Sequence, residues 1–133
     1  MPDRPEEPEK ALTVDRSSLV AESAAQVLEK AGFKAVATTQ YTEAESIVGA
    51  TPDLGVLVAD VRPESHDDSA ERVTDIAADN PDVAVVVTSA SFPEDLPELP
   101  DDAVFLQKPF GKRELLDAVE QAKEQTDGNP AAD

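Results

Sequence analysis

Four residues in this chain can do chemistry together, and each lies at or just past the end of a short apolar run. Asp15 follows Ala11-Leu12-Thr13-Val14, Asp60 follows Gly55-Val56-Leu57-Val58-Ala59, Thr88 follows Val83-Ala84-Val85-Val86-Val87, and Lys108 lies just past Ala103-Val104-Phe105-Leu106. A pair of carboxylates can hold a hard cation through oxygen, or one of them can act as a nucleophile. An ammonium and a hydroxyl beside them can meet the negative charge of an incoming phosphoryl group. Singly, each residue is unremarkable: a strand-end acid, a turn acid, a strand former, a loop Lys-Pro. Their common placement at the ends of apolar runs is what carries the signal. The chain has no cysteine, so thiolate chemistry, disulfides and Cys-based zinc sites are excluded. Its one histidine, His66, stands among Glu64, Ser65, Asp67 and Asp68 and reads as a solvated loop residue.

The elements that must position these groups are legible from periodicity. The apolar runs lack polar alternation, as expected of strands covered on both faces. Between them lie helical patterns: Val20, Ala24, Val27, Leu28 and Ala31 with Gly32 as C-terminal stop; Val73, Ile76 and Ala77 before Pro81; and Leu115, Leu116, Val119 and Ala122. Ala35-Val36-Ala37 is a second strand. Thr42 and Glu45 match a capping box that starts a helix ending near Gly49. Pro93, Pro97 and Pro100 crowd the connection between the fourth and fifth strands, so the helix there is expected to be short or irregular. The sum is an α/β, doubly wound, five-stranded parallel sheet with helices on both faces. Residues 10–126 form one domain, between tails at 1–9 and 127–133 whose composition reads as disordered.

In such sheets ligands bind at the carboxyl ends of the strands. There the sequence resembles the receiver domains of two-component response regulators, of the chemotaxis-regulator type, over residues 10–126. The resemblance implies a flavodoxin-like strand order 2-1-3-4-5 and phosphorylation of Asp60. It implies that Thr88 hydrogen-bonds the phosphoryl group, that Lys108 pairs with it, and that the Lys108-Pro109 bond is cis. It assigns Phe105 to the aromatic position whose rotamer reports activation. It also implies Mg²⁺ held around Asp15, Asp60 and Arg62, a sensor histidine kinase or phosphotransfer protein as donor, and a downstream protein partner. The expected role is signalling rather than enzymatic, in the cytoplasm, with association of two copies left open.

Two positions depart from the family pattern. Arg16 stands where the family has a second acid that binds the metal, and Pro63 comes one residue early after Asp60. Arg16 therefore motivates an alternative: a pseudo-receiver that binds partners without phosphorylation.

Composition excludes other classes. Acidic residues outnumber basic ones 29 to 11, a formal charge of −18, which repels nucleic-acid backbones. The acids are spread along the chain, as expected of adaptation to high salt. No apolar run is long enough for a membrane span, and no Gly-rich phosphate or dinucleotide loop is present.

Overall fold

The computed structural model describes residues 8–63 and 67–127. The expected tails, and Glu64, Ser65 and His66, lie largely or wholly outside the described residues. Five strands, β1 (Lys10–Val14), β2 (Lys34–Thr38), β3 (Leu54–Asp60), β4 (Ala84–Ser89) and β5 (Val104–Gln107), form one parallel sheet in the order β2-β1-β3-β4-β5. Four helices cross between and after them: α1 (Ser18–Lys30), α2 (Tyr41–Gly49), α3 (Ser69–Asp79) and α4 (Lys112–Asp127).

Side chains alternate across the sheet, and both faces are buried. Leu12, Val14, Leu57, Ala59, Val85 and Val87 pack against α2 and α3 through Ala44, Val48, Val73 and Ile76. Ala11, Val56, Val58, Ala84, Val86 and Val104 pack against α1 and α4 through Leu28, Leu115, Val119 and Ala122. Burying a leucine such as Leu57 contributes about 2 kcal/mol, so these two layers hold the strand ends in fixed register.

Local signals fix the element ends. Ser17 caps α1, its side chain accepting from the Val20 amide at 3.3 Å. Gly32 takes the left-handed conformation past the end of α1, with φ of 106°, which a Cβ would disfavour.

The capping box at Thr42 is a correction. Helix α2 begins at Tyr41, so Thr42 lies inside its first turn, and the N-cap is Gln40 without a side-chain cap bond. Instead the Thr38 hydroxyl donates to the Glu43 carboxylate and accepts from the Gln40 amide at 3.3 Å. The threonine at the end of β2 thus ties down the turn that Thr42 was expected to cap.

Between β4 and β5 only Pro93–Asp95 is helical, a single 3₁₀ turn. Three prolines in eight residues remove the amide donors a helix needs. The segment still packs, because Leu96, Leu99 and Ala103 rest on the α2/α3 face of the core.

Candidate functional site

Asp60 ends β3, and its neighbours follow from the register. Thr88 is directly beside it on β4, with the Val61 amide donating to the Thr88 carbonyl at 2.9 Å. Val14 pairs with Ala59, which places Asp15 at the same level on β1. Ser89 pairs with Gln107, and the Lys108 amide donates to the Ser89 carbonyl at 2.8 Å. Asp60 and Thr88 have the parity of Val58 and Val86, which face α1 and α4.

The geometry joins the acids through the lysine. Lys108 Nζ donates to Asp15 Oδ2 at 2.6 Å and to Asp60 Oδ1 at 2.8 Å. Asp15 also accepts from the Ser17 amide at 2.9 Å, which fixes it at the start of α1. Asp15, Asp60 and Thr88 are all buried. Burial alone would lower the Lys108 pKa, but the hydrogen bonds to Asp15 and Asp60 outweigh it and raise the lysine above its ordinary value. The Lys108-Pro109 bond is cis. Phe105 is half-buried against the α2/α3 side of the core.

Arg62 approaches from the other side of Asp60. Its Nε lies 3.5 Å from Asp60 Oδ2, within ion-pair range, and that nitrogen is buried with no hydrogen-bond partner. Two carboxylates and two cationic groups therefore meet at this edge. Among the described residues, no group of three His, Cys, Asp or Glu side chains is placed to hold a metal ion.

Arg16 does not reach Asp60. Its guanidinium pairs with Asp67, in the connection between β3 and α3. Asp67 is enclosed, its side chain 1% exposed, and it also accepts from the Ser69 amide at 2.8 Å and from the Ser69 hydroxyl. Burial would raise its pKa, but the Ser69 hydrogen bonds and the charges of Arg16 and Arg62 hold it below the ordinary value. Ser69 Oγ accepts from the Arg62 amide at 3.1 Å, so one network runs from Arg16 to the residue two past Asp60.

Two residues at this edge were not singled out by sequence. The Tyr41 hydroxyl donates to the Asp60 backbone carbonyl at 2.8 Å. Burial first, then the charges of Asp60, Asp67 and Asp15, push its pKa far above the usual phenol value. Tyr41, Arg16, Gln40, Ser69 and Arg72 line an open depression of about 260 Å³ beside Asp60. Asp67 was the other omission. Asp67-x-Ser69 before an apolar helical pattern is an Asx-turn signature, and that spacing was the available signal.

A response regulator receiver protein from Sinorhizobium medicae superposes with a TM-score of 0.76 at 21% identity, over 90% of this chain and 98% of that one. A CheY-like receiver domain protein from Methanospirillum hungatei gives 0.73 at 17%, over 92% and 99%. The chemotaxis response regulator CheY4 of Vibrio cholerae gives 0.70 at 18%, over 87% and 99%. The chain has the receiver-domain fold. No family model matches the sequence, and no curated protein matches it either. The doubly wound sheet expected from the apolar runs, and the receiver fold and strand order 2-1-3-4-5 implied by the resemblance, are thus seen in three dimensions.

Proposed function

We propose that this chain is a receiver domain that accepts a phosphoryl group on Asp60 and signals through protein contacts. The observation that carries this reading is the Lys108 bridge: one ammonium held by both Asp15 and Asp60, beside Thr88 in register. A carboxylate becomes an acyl phosphate only where the incoming charge is neutralised and the donor can approach in line. Lys108 supplies a positive charge at the acceptor oxygen, and Thr88 supplies a hydroxyl on the neighbouring strand. A histidine kinase or phosphotransfer protein is the proposed donor and a downstream protein the proposed listener. An apolar groove of about 390 Å³ between α1 and α4, with exposed Leu19 on its rim, gives such a protein a surface beside Lys108. Among the described residues no helix is long and apolar enough to cross a membrane, and we assign the role to the cytoplasm.

The test is intact-mass measurement after incubation with acetyl phosphate and Mg²⁺ in high salt. Wild type gains one phosphoryl mass and Asp60→Asn gains none. An unmodified wild type under saturating donor rejects the reading.

One observation favours the pseudo-receiver as a second reading. Lys108 and Arg62 already balance the charges of Asp15 and Asp60. A site neutral at rest can serve as a fixed structural clamp for a partner-binding surface. The same mass measurement separates the two readings.

A further inference from the structure

The donor set around Asp60 does not fit the divalent cation that the fold family implies. Mg²⁺ requires near-octahedral oxygen, held by one or two carboxylates with several waters. Here both carboxylates share the Lys108 ammonium, and the Arg62 guanidinium closes on the remaining oxygen of Asp60. Arg16, at the position of the missing acid, is turned away to Asp67. A divalent ion entering this space would meet two cations, and among the described residues no third carboxylate is placed with Asp15 and Asp60 to hold it.

We propose that Arg62 takes over the charge-neutralising role, so that Asp60 accepts a phosphoryl group without a divalent cation. This rests on Asp60 being the acceptor. The decisive feature is Arg62 Nε: it is buried, has no hydrogen-bond partner, and stands 3.5 Å from the acceptor carboxylate. An unpartnered buried donor is costly unless something meets it, and a guanidinium fork matches phosphoryl oxygens in shape and charge. In the step itself, a carboxylate oxygen of Asp60 attacks phosphorus of an acyl phosphate or phosphohistidine donor. The new O–P bond forms as the bond from phosphorus to the donor's oxygen or nitrogen breaks, and the leaving group keeps that electron pair. A carboxylate leaving group needs no proton; an imidazole can take one from solvent. Arg62 and Lys108 then face the peripheral oxygens of the phosphoryl group from opposite sides of Asp60.

The experiment compares wild type, Arg62→Gln, Arg62→Lys and Asp60→Asn with acetyl phosphate, in EDTA and in MgCl₂, following the adduct by mass and the fold by circular dichroism. Wild type is expected to label at rates within about threefold in the two conditions. Arg62→Gln is expected to label about tenfold or more slowly in EDTA, with Arg62→Lys between them, as for loss of a charge-assisted contact. Calorimetric titration with MgCl₂, using Asp60→Asn as reference for unspecific binding to the acidic surface, is expected to show no difference between the two proteins. Labelling of wild type only with Mg²⁺, or Mg²⁺ binding lost in Asp60→Asn, overturns the inference while leaving Asp60 as acceptor. Absence of label in every condition overturns the acceptor reading, and the inference with it.

Discussion

Arg16 and Asp67, 51 residues apart, form an ion pair that joins the turn after β1 to the connection after β3. The arginine is 60% exposed on its side chain and its partner is enclosed, so the acid gains the most from the contact. The pair explains how a cation can occupy the family's acidic position without touching Asp60. A carboxylate offset along the chain receives it.

Reversing that charge should create a metal site. Arg16→Asp leaves Asp67 with its Ser69 hydrogen bonds and the more distant charge of Arg62, and sets a third acid beside Asp15 and Asp60. The variant should be less stable than wild type by about 1–2 kcal/mol without divalent ions, as for a buried acid losing a partner. Mg²⁺ at ten times its dissociation constant should return about 1.4 kcal/mol. Thermal melts with and without MgCl₂ check this; an equal Mg²⁺ shift in both proteins would count against it.

Asp67 should also shape the acid limb of stability. Its folded pKa is depressed, so its contribution is complete above about 3.9 and is lost as pH falls through the lower folded value. Asp67→Asn lacks that proton uptake. Urea melts between neutral pH and acid should show a shallower fall for the variant than for wild type.

Lys108 works in the opposite sense. Its folded pKa is raised, so its stabilisation is complete below the ordinary lysine value and is lost as pH climbs through the folded one. Lys108→Met leaves two buried carboxylates without their shared cation. The cost at neutral pH is about 2 kcal/mol, below that of a fully enclosed pair because 20% of the lysine side chain is exposed. Denaturant midpoints of the two proteins should converge at strongly alkaline pH. A gap that stays constant would sink the assignment.

Tyr41 is the chain's one tyrosine, and there is no tryptophan, so its ionisation has a clean ultraviolet signal. No phenolate absorbance is expected until the protein unfolds, because burial and three acids oppose the charge. Since the unfolded chain ionises near pH 10, Tyr41 also makes stability fall as pH rises above that value. Tyr41→Phe should cost about 1 kcal/mol through the lost hydrogen bond to the Asp60 carbonyl.

The −18 charge predicts a response to salt. Raising KCl from 0.1 to 1 M shortens the screening length from about 10 Å to about 3 Å and weakens self-repulsion. The melting temperature should rise by about 4 °C for each kcal/mol gained. A flat or falling melt curve would reject the high-salt adaptation proposed for this composition.

Much of this site was legible because it depends on short-range pattern. Unbroken apolar runs such as Val83–Val87 require a buried strand, and the residue that ends each run must lie on one edge of the sheet. That logic found Asp15, Asp60, Thr88 and Lys108 together. It could not find the Tyr41 bond to Asp60, which spans 19 residues and depends on how the start of α2 is set against the sheet. Nor could it say which way Arg16 swings, because a long side chain on a turn reaches several acids. The start of α2 went wrong for a local reason: Thr42 and Thr38 both offer hydroxyls near that turn, and the strand-end threonine is the one held in place by the sheet.

The Lys108 bridge has a consequence in time. Lys108 and Asp15 are separated by 93 residues and Lys108 and Asp60 by 48, so the bridge spans most of the domain. Closing loops of that length is slow relative to local helix formation. A chain emerging from the ribosome holds Asp15 and Asp60 long before Lys108 can reach them. Until the fifth strand docks, Asp15 and Asp60 lack their shared cation, so the charge balance of this edge is completed last.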